Sequence, residues 1–266
     1  MKLSNSLALL AALVLPAQAQ DIVGGQPTQS FLAVGIGVQV SPDWVMTVRH
    51  AAMGQGSIYT NGYGSRTVAG VYFPDTADFP ANDFALMRLE PLATPLPGAV
   101  YPRIASEPFV QGAFRPQPVT ITSPLNHSPR GVGLTWVTES IAQYDDDGPS
   151  GPLPLVDVNW LVSWDSNVHV EMGDSGGGLF LDHVRDSVGV LLGLNSALLE
   201  EDDGRIGSAF VQPAAYRAWI DGIMNAHLSD QRLNWTGIAS TVPEPAAWTL
   251  WLAGGLLLQA ARRRRA

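Results

Sequence analysis

Between about Ile22 and Leu228 the chain reads as short apolar runs broken by Gly, Pro, Asn and Asp, at residues 31–40, 44–48, 67–72, 84–89, 119–122, 132–137, 177–181 and 188–194. Runs of that length between turn-forming residues predict short strands. Their spacing predicts antiparallel β structure in barrels or sandwiches. One late stretch has a different period. After Pro213, residues 214–228 set Tyr216, Trp219, Ile220 and Ile223 at helical spacing, which predicts one amphipathic helix laid against the β body. Residues 229–241 carry no period and read as a tether.

The two ends follow other patterns. Lys2, the apolar run 7–15, Pro16 and the small-residue pattern Ala17-Gln18-Ala19 read as an export signal over residues 1–19, removed by signal peptidase before Gln20. A buried N-terminal helix is the alternative, but nine apolar residues between a charged start and a proline stop suit a removable signal better. Near the other end, Val242-Pro243-Glu244-Pro245 precedes an apolar run at 246–261, followed by Arg262, Arg263, Arg264 and Arg265. Its sixteen residues, Gln259 among them, fall just short of the ~17–25 of a stable spanning helix. By the positive-inside tendency the arginines stay cytoplasmic and the chain before them faces outward. Residues 242–266 resemble a PEP-CTERM sorting tag. That resemblance implies membrane contact through the tag and processing by an exosortase-type enzyme in a Gram-negative bacterium. A plain tail anchor is the other reading. Both put the body in the cell envelope or outside the cell.

Composition narrows the field further. With 46% hydrophobic and 15% charged residues, 27 Gly and 20 Pro, the chain is unlike disordered segments, coiled coils or long bundles. The net charge of −9 understates the body: setting aside Lys2, the four terminal arginines and Glu244 leaves ten basic against 23 acidic residues, or −13. So acidic a body disfavours nucleic-acid partners. The absence of cysteine removes disulfides, thiolate metal sites and a cysteine nucleophile. Acidic clusters at 145–147 and 200–203 lack the alternating spacing of a calcium loop and read as solvated loops, so no metal and no cofactor is expected.

The strongest internal motif is Gly173-Asp174-Ser175-Gly176-Gly177-Gly178. Glycines beside a serine let backbone N–H groups converge on a ligand. Serine is a weak nucleophile without a base, and the base needs a third group to fix its tautomer. Of the five histidines, His50 alone follows a strand-like run, 44–48, and is succeeded by the small residues Ala51 and Ala52. Asp83 opens the apolar run 84–89, a poor place for a carboxylate unless it has a partner.

These pieces, with Ile22-Val23-Gly24-Gly25 and the 216–220 helix, resemble the trypsin-like (chymotrypsin-fold) serine proteases in their bacterial form, over about residues 22–223 and in the order His, Asp, Ser. The resemblance implies an all-β peptidase domain at 22–228. Two packed six-stranded antiparallel β-barrels, about 22–115 and 116–212, would be followed by a C-terminal helix at 214–228. It implies a serine endopeptidase, acting on protein or peptide substrates through an acyl-enzyme, with His50, Asp83 and Ser175 as the catalytic triad. Gly173 and Ser175 N–H groups would form the oxyanion hole. It further implies an activation pair between a freed Ile22 amine and Asp174, so that residues 20–21 are a short propeptide. Six positions before Ser175, His169 stands where a substrate-binding residue is expected, without the acid that would select Arg or Lys; it would either bind an acidic side chain or simply pack. Ser196 is expected on the strand that binds the substrate backbone.

Departures from the pattern are the short 28-residue spacing from Ile22 to His50 and the missing disulfides. Two other classes stay in view. Gly173 to Gly177 also fits the Gly-x-Ser-x-Gly elbow of an α/β-hydrolase esterase, with Asp221 and His227 following, although that elbow requires a helix after the serine and a βα alternation the sequence lacks. The other is a catalytically silent surface binding or matrix protein on a protease scaffold.

Overall fold

The computed structural model describes residues 22–28, 30–76, 79–94, 96–111, 115–124, 131–144, 156–184, 189–201, 203–227 and 230–238. The export signal, residues 20–21, the acidic cluster at 145–147 and the 242–266 tag with its apolar run lie outside them. Among the described residues no helix is long and apolar enough to cross a membrane.

The apolar runs become two antiparallel sheets. The first contains β1 (Val34–Gly35), β2 (Gly37–Ser41), β3 (Trp44–Thr47), β4 (Ile58–Asn61), β5 (Gly64–Tyr72) and β6 (Ala85–Leu89), in the order β1-β2-β3-β6-β5-β4. Alternation along its strands sorts side chains to two faces. Trp44, Met46 and Leu86 join the main core, while Val45, Met87 and Leu89 pack with Tyr59 and Val68 inside the sheet's own curl.

The second sheet is larger. Its path runs β10 (Glu139–Tyr144), β11 (Val156–Ser163), β14 (Ile206–Val211), β13 (Val190–Glu200), β12 (Gly178–Leu181), β8 (Gln117–Thr122), β9 (Val132–Val137). It curls until the residue after β9 meets β11, where Thr138 N–H donates to Val162 O at 2.8 Å. The chain therefore has the mostly β, two-sheet fold with one short C-terminal helix that was expected. The second sheet counts nine strands: seven along this path, one more than the six expected, and β7 (Arg103–Ala105) and β15 (Trp235–Thr236), added by parallel pairing, β7 to β13 and β15 to β7. Residues 103–105 thus belong to the second sheet although they fall in the segment expected to form the first.

One core joins the sheets, with Phe31 against Phe180 at 5.2 Å between ring centroids. The late helix forms as a 3-10 turn, Pro213–Tyr216, leading into α1 (Arg217–Ala226). Proline suits the first turn, where its missing N–H costs nothing. Ile220 and Met224 bury the helix's inner face, and Tyr216 stacks on Phe84 at 4.7 Å. The stretch read as a tether is partly docked. Leu233 is buried, Ile104 N–H donates to Asn234 O, and Trp235 Nε1–H donates to Asp221 at 3.2 Å. Two residues of strand, β15, carry too little pattern to be seen in sequence.

Burial pushes the Tyr216 phenol up from 10.0 to about 12, with a smaller opposing effect from Asn159. A phenol raised on folding contributes stability that is complete below the unfolded value and lost as pH climbs toward the folded one. Between pH 10.0 and about 12, stability should therefore fall less steeply in Tyr216→Phe than in the parent chain, as read by urea titrations across that window.

Candidate functional site

Three chain breaks meet at one cleft. β3 ends at Thr47, and a 3-10 turn, Arg49–Ala51, carries His50 off the end of the first sheet. Asp83 lies two residues before β6, next to Asn82 in a left-handed conformation (φ 45°). Ser175 lies in the turn leading to β12 of the second sheet. His50 Nδ1 is 2.9 Å from Asp83 Oδ2 and 3.0 Å from Oδ1, and His50 Nε2 is 2.8 Å from Ser175 Oγ. A carboxylate only accepts, so Nδ1 carries the proton and the Nε2 lone pair faces the Ser175 hydroxyl.

The Asp83 side chain is fully buried, whereas that of His50 is 34% exposed. Three donors from protein groups compensate the buried charge: the His50 backbone N–H at 3.1 Å, His50 Nδ1–H, and the Ser196 hydroxyl, which donates to Oδ2 at 2.6 Å. Ser196 sits where the β13–β14 register shifts between Asn195 and Ala197. Such a bulge re-aims one side chain out of the alternation.

Backbone constraints hold the serine turn. Asn195 Nδ2 donates to Thr122 O at 2.8 Å and to Asp174 O at 2.9 Å, and Gly178 N–H donates to the Thr122 hydroxyl. Gly176 has φ +84°, and a Cβ there would lie 2.7 Å from Thr47 Oγ1 and 3.0 Å from the Ile36 backbone. Only glycine lets the turn approach the first sheet so closely. Gly173 takes φ +101°. Among the described residues neither the Gly173 nor the Ser175 N–H has an acceptor, so both are available to a ligand oxygen. Sequence reasoning missed Asn195 and Thr122. Thr122 closes the 119–122 run and Asn195 directly follows the 188–194 run, and an amide interrupting an apolar stretch is the one signal that could have marked Asn195.

The remaining expected residues are placed as follows. Ile22 is fully buried, and Gly133 makes room for it, since a Cβ there would lie 2.6 Å from Ile22 Cγ2. Val23 N–H donates to His169 O, and Gln26 pairs with Val132, so the segment docks on the second sheet. Asp174 is also fully buried, and its Oδ2 accepts the Glu171 N–H at 2.8 Å. His169 is 6% exposed, and the cavity beside Ser175 is lined by its neighbour Val170 rather than by His169.

A cavity of about 450 Å³ adjoins His50, Ser175 and Ser196, with Phe79, Val170, Ala197 and Leu198 among its walls. A larger one, about 540 Å³ between Trp44, Arg88 and His227, contains none of the three converging residues. Along the cleft, β13 beyond Asn195 pairs only with β14 among the described residues, leaving its other edge open. After Ser175 the chain enters β12 rather than a helix, and His227 faces Trp44, Tyr72 and Arg88. Both facts set aside the α/β-hydrolase elbow. Among the described residues no cluster of three or more His, Asp or Glu could hold a metal.

No protein-family model matches the chain, and no relative was found among curated proteins. Among solved structures it is similar to neuropsin, a serine protease expressed in the limbic system of mouse brain, at 20% identity and a TM-score of 0.47, over 71% of this chain and 87% of that one. It is also similar to kallikrein-related peptidase 10 in complex with Zn2+, at 15% identity and a TM-score of 0.45, over 71% and 89%. Overlap of this degree assigns neither an activity nor a metal to this chain.

Removing the Ser196 hydroxyl leaves a buried carboxylate one donor short. Ser196→Ala should cost ~1–3 kcal/mol of unfolding free energy. Ser196→Thr, which keeps the hydroxyl, should cost less, as measured by denaturant titration.

Proposed function

We propose that the chain is an exported serine endopeptidase. The observation that carries this reading is the continuous line from Asp83 through His50 to Ser175, at 2.9 and 2.8 Å, in a cleft that also offers two N–H groups with no acceptor among the described residues. In the proposed reaction His50 Nε2 takes the Ser175 proton as Oγ attacks a peptide carbonyl. The Gly173 and Ser175 N–H groups receive the oxygen that becomes negative. Asp83 holds the imidazole in the required tautomer and stabilises it when charged. His50 then protonates the departing amine, and a water activated by the same nitrogen releases the acyl group from Ser175. A protein or peptide substrate would enter extended along the open edge of β13.

Export belongs to the proposal and rests on sequence: the 1–19 signal, cut by signal peptidase, and the 242–266 tag, handled by an exosortase-type enzyme while it contacts the membrane. Delivery to the envelope or exterior of a Gram-negative cell follows from both. Loss of the 20–21 dipeptide would free the Ile22 amine. In support, Ile22 is already buried where Gly133 leaves it room, and the next residue, Val23, donates its N–H to the carbonyl of His169, five positions before Asp174.

The mature enzyme is expected to begin at Ile22. N-terminal sequencing of active protein that finds Gln20 retained contradicts this activation route. A fluorophosphonate should form a covalent adduct on Ser175 of the processed protein and none on Ser175→Ala. That variant should also lose about 10⁴-fold or more of peptide hydrolysis. If wild-type processed protein stays unlabelled, the silent binding protein on a protease scaffold becomes the better reading.

A further inference from the structure

The exposed large apolar side chains of this body are not evenly spread. Of eleven among the described residues, three line one cavity, the one beside Ser175: Phe79 at 49% exposure, Met172 at 86% and Leu198 at 50%. Concentrated exposed apolar surface marks a binding site rather than random surface. Val170, 3% exposed, and Ala197 continue the same lining inward.

Ionisable side chains on the wall are few. His50 is committed to Asp83 and Ser175, which leaves Glu171 as the one carboxylate. Glu171 is partly exposed, so its charge is screened and a cation beside it gains little. His169, the residue that could have attracted an acidic side chain, is buried and outside this lining, and its carbonyl accepts the Val23 N–H. An acidic side chain entering the cavity would meet Glu171 and the −13 body with no cation in return.

Resting on the hydrolase reading, we propose that this cavity selects an uncharged apolar residue, of leucine, methionine or phenylalanine type, on the acyl side of the scissile bond, with Leu198 and Met172 as specificity-determining side chains. The location fixes which substrate residue is concerned. When the carbonyl carbon is at Ser175 Oγ and its oxygen at the Gly173 and Ser175 N–H groups, the side chain on that carbon's own residue points into the adjoining space. A volume of about 450 Å³ accommodates such a side chain. Met172, unbranched and polarizable, adapts to several apolar shapes. Burying a charged head in such a lining without a partner is unfavourable, so discrimination comes from rejection as well as attraction.

The test uses processed protein and a set of peptide anilides identical except at the acyl-side residue. The expected kcat/KM for Leu, Met and Phe exceeds that for Lys, Arg, Asp and Glu by about tenfold to hundredfold. Leu198→Glu, on an exposed strand position, should still label with fluorophosphonate. It should raise KM for the apolar substrates and narrow their advantage over Lys and Arg. Fluorophosphonate labelling of the wild type is run in parallel, so the two readings fail separately. Labelled enzyme that prefers a charged residue, discriminates less than about threefold, or cleaves none of the set overturns the specificity inference alone. Absence of labelling overturns the hydrolase reading beneath it.

Discussion

A fully buried carboxylate is unstable unless donors surround it, and the Asp83 side chain has them from both sheets. The His50 N–H and Nδ1–H come from the turn after β3, and the Ser196 hydroxyl comes from the bulge in β13, 113 residues after Asp83 in the chain. Satisfying this one charge therefore requires the two sheets to be correctly packed. The same bonds orient the imidazole. With both carboxylate oxygens on the Nδ1 side, His50 has one ring nitrogen left for the serine, and that nitrogen is a base. The site's chemistry and the inter-sheet packing thus rest on one set of hydrogen bonds.

A chain without cysteine must hold its serine turn by other means. Here a side-chain amide performs that work: Asn195 spans the Thr122 and Asp174 carbonyls, while Thr122 and Gly178 exchange hydrogen bonds. Buried bonds of this kind are each modest in net stability but costly to leave half-made, which favours one conformation of the turn over many. Gly176 completes the arrangement by removing the Cβ that would collide with Thr47 and Ile36.

The residues that converge on the cleft share a property that made them legible as candidates. His50, Asp83 and Ser175 each stand at the break of an apolar run, where a polar group interrupts a pattern and so stands out. β3, β6, β9 and β12 were visible for the same reason. Ser196 was marked only as a residue of the expected substrate strand, because its bond to Asp83 depends on a bulge that no local pattern encodes. β10 and β11 were missed: β10 is mostly polar along an edge, and β11 mixes Asp157 and Asn159 among its apolar residues. The expected division near residue 115 failed for β7, since three residues of strand choose their sheet through tertiary pairing. His169 shows the limit of counting along a motif. Counting six back from Ser175 reaches a buried residue, and the cavity is lined by its neighbour Val170 instead.

The apolar lining and the polar line are physically coupled. An apolar side chain seated against Leu198, Val170 and Met172 displaces water from the space next to His50, which is otherwise one-third exposed. Losing that water lowers the local dielectric, and each interaction between developing charge and fixed donors becomes stronger. A charged side chain in the same space would bring its own hydration and leave the imidazole wet. On the proposed mechanism, the residue that binds best is then also the one that best prepares the site for attack. Preference should appear in turnover as well as in binding, because exclusion of water acts on the transition state, where charge has moved from serine to the carbonyl oxygen.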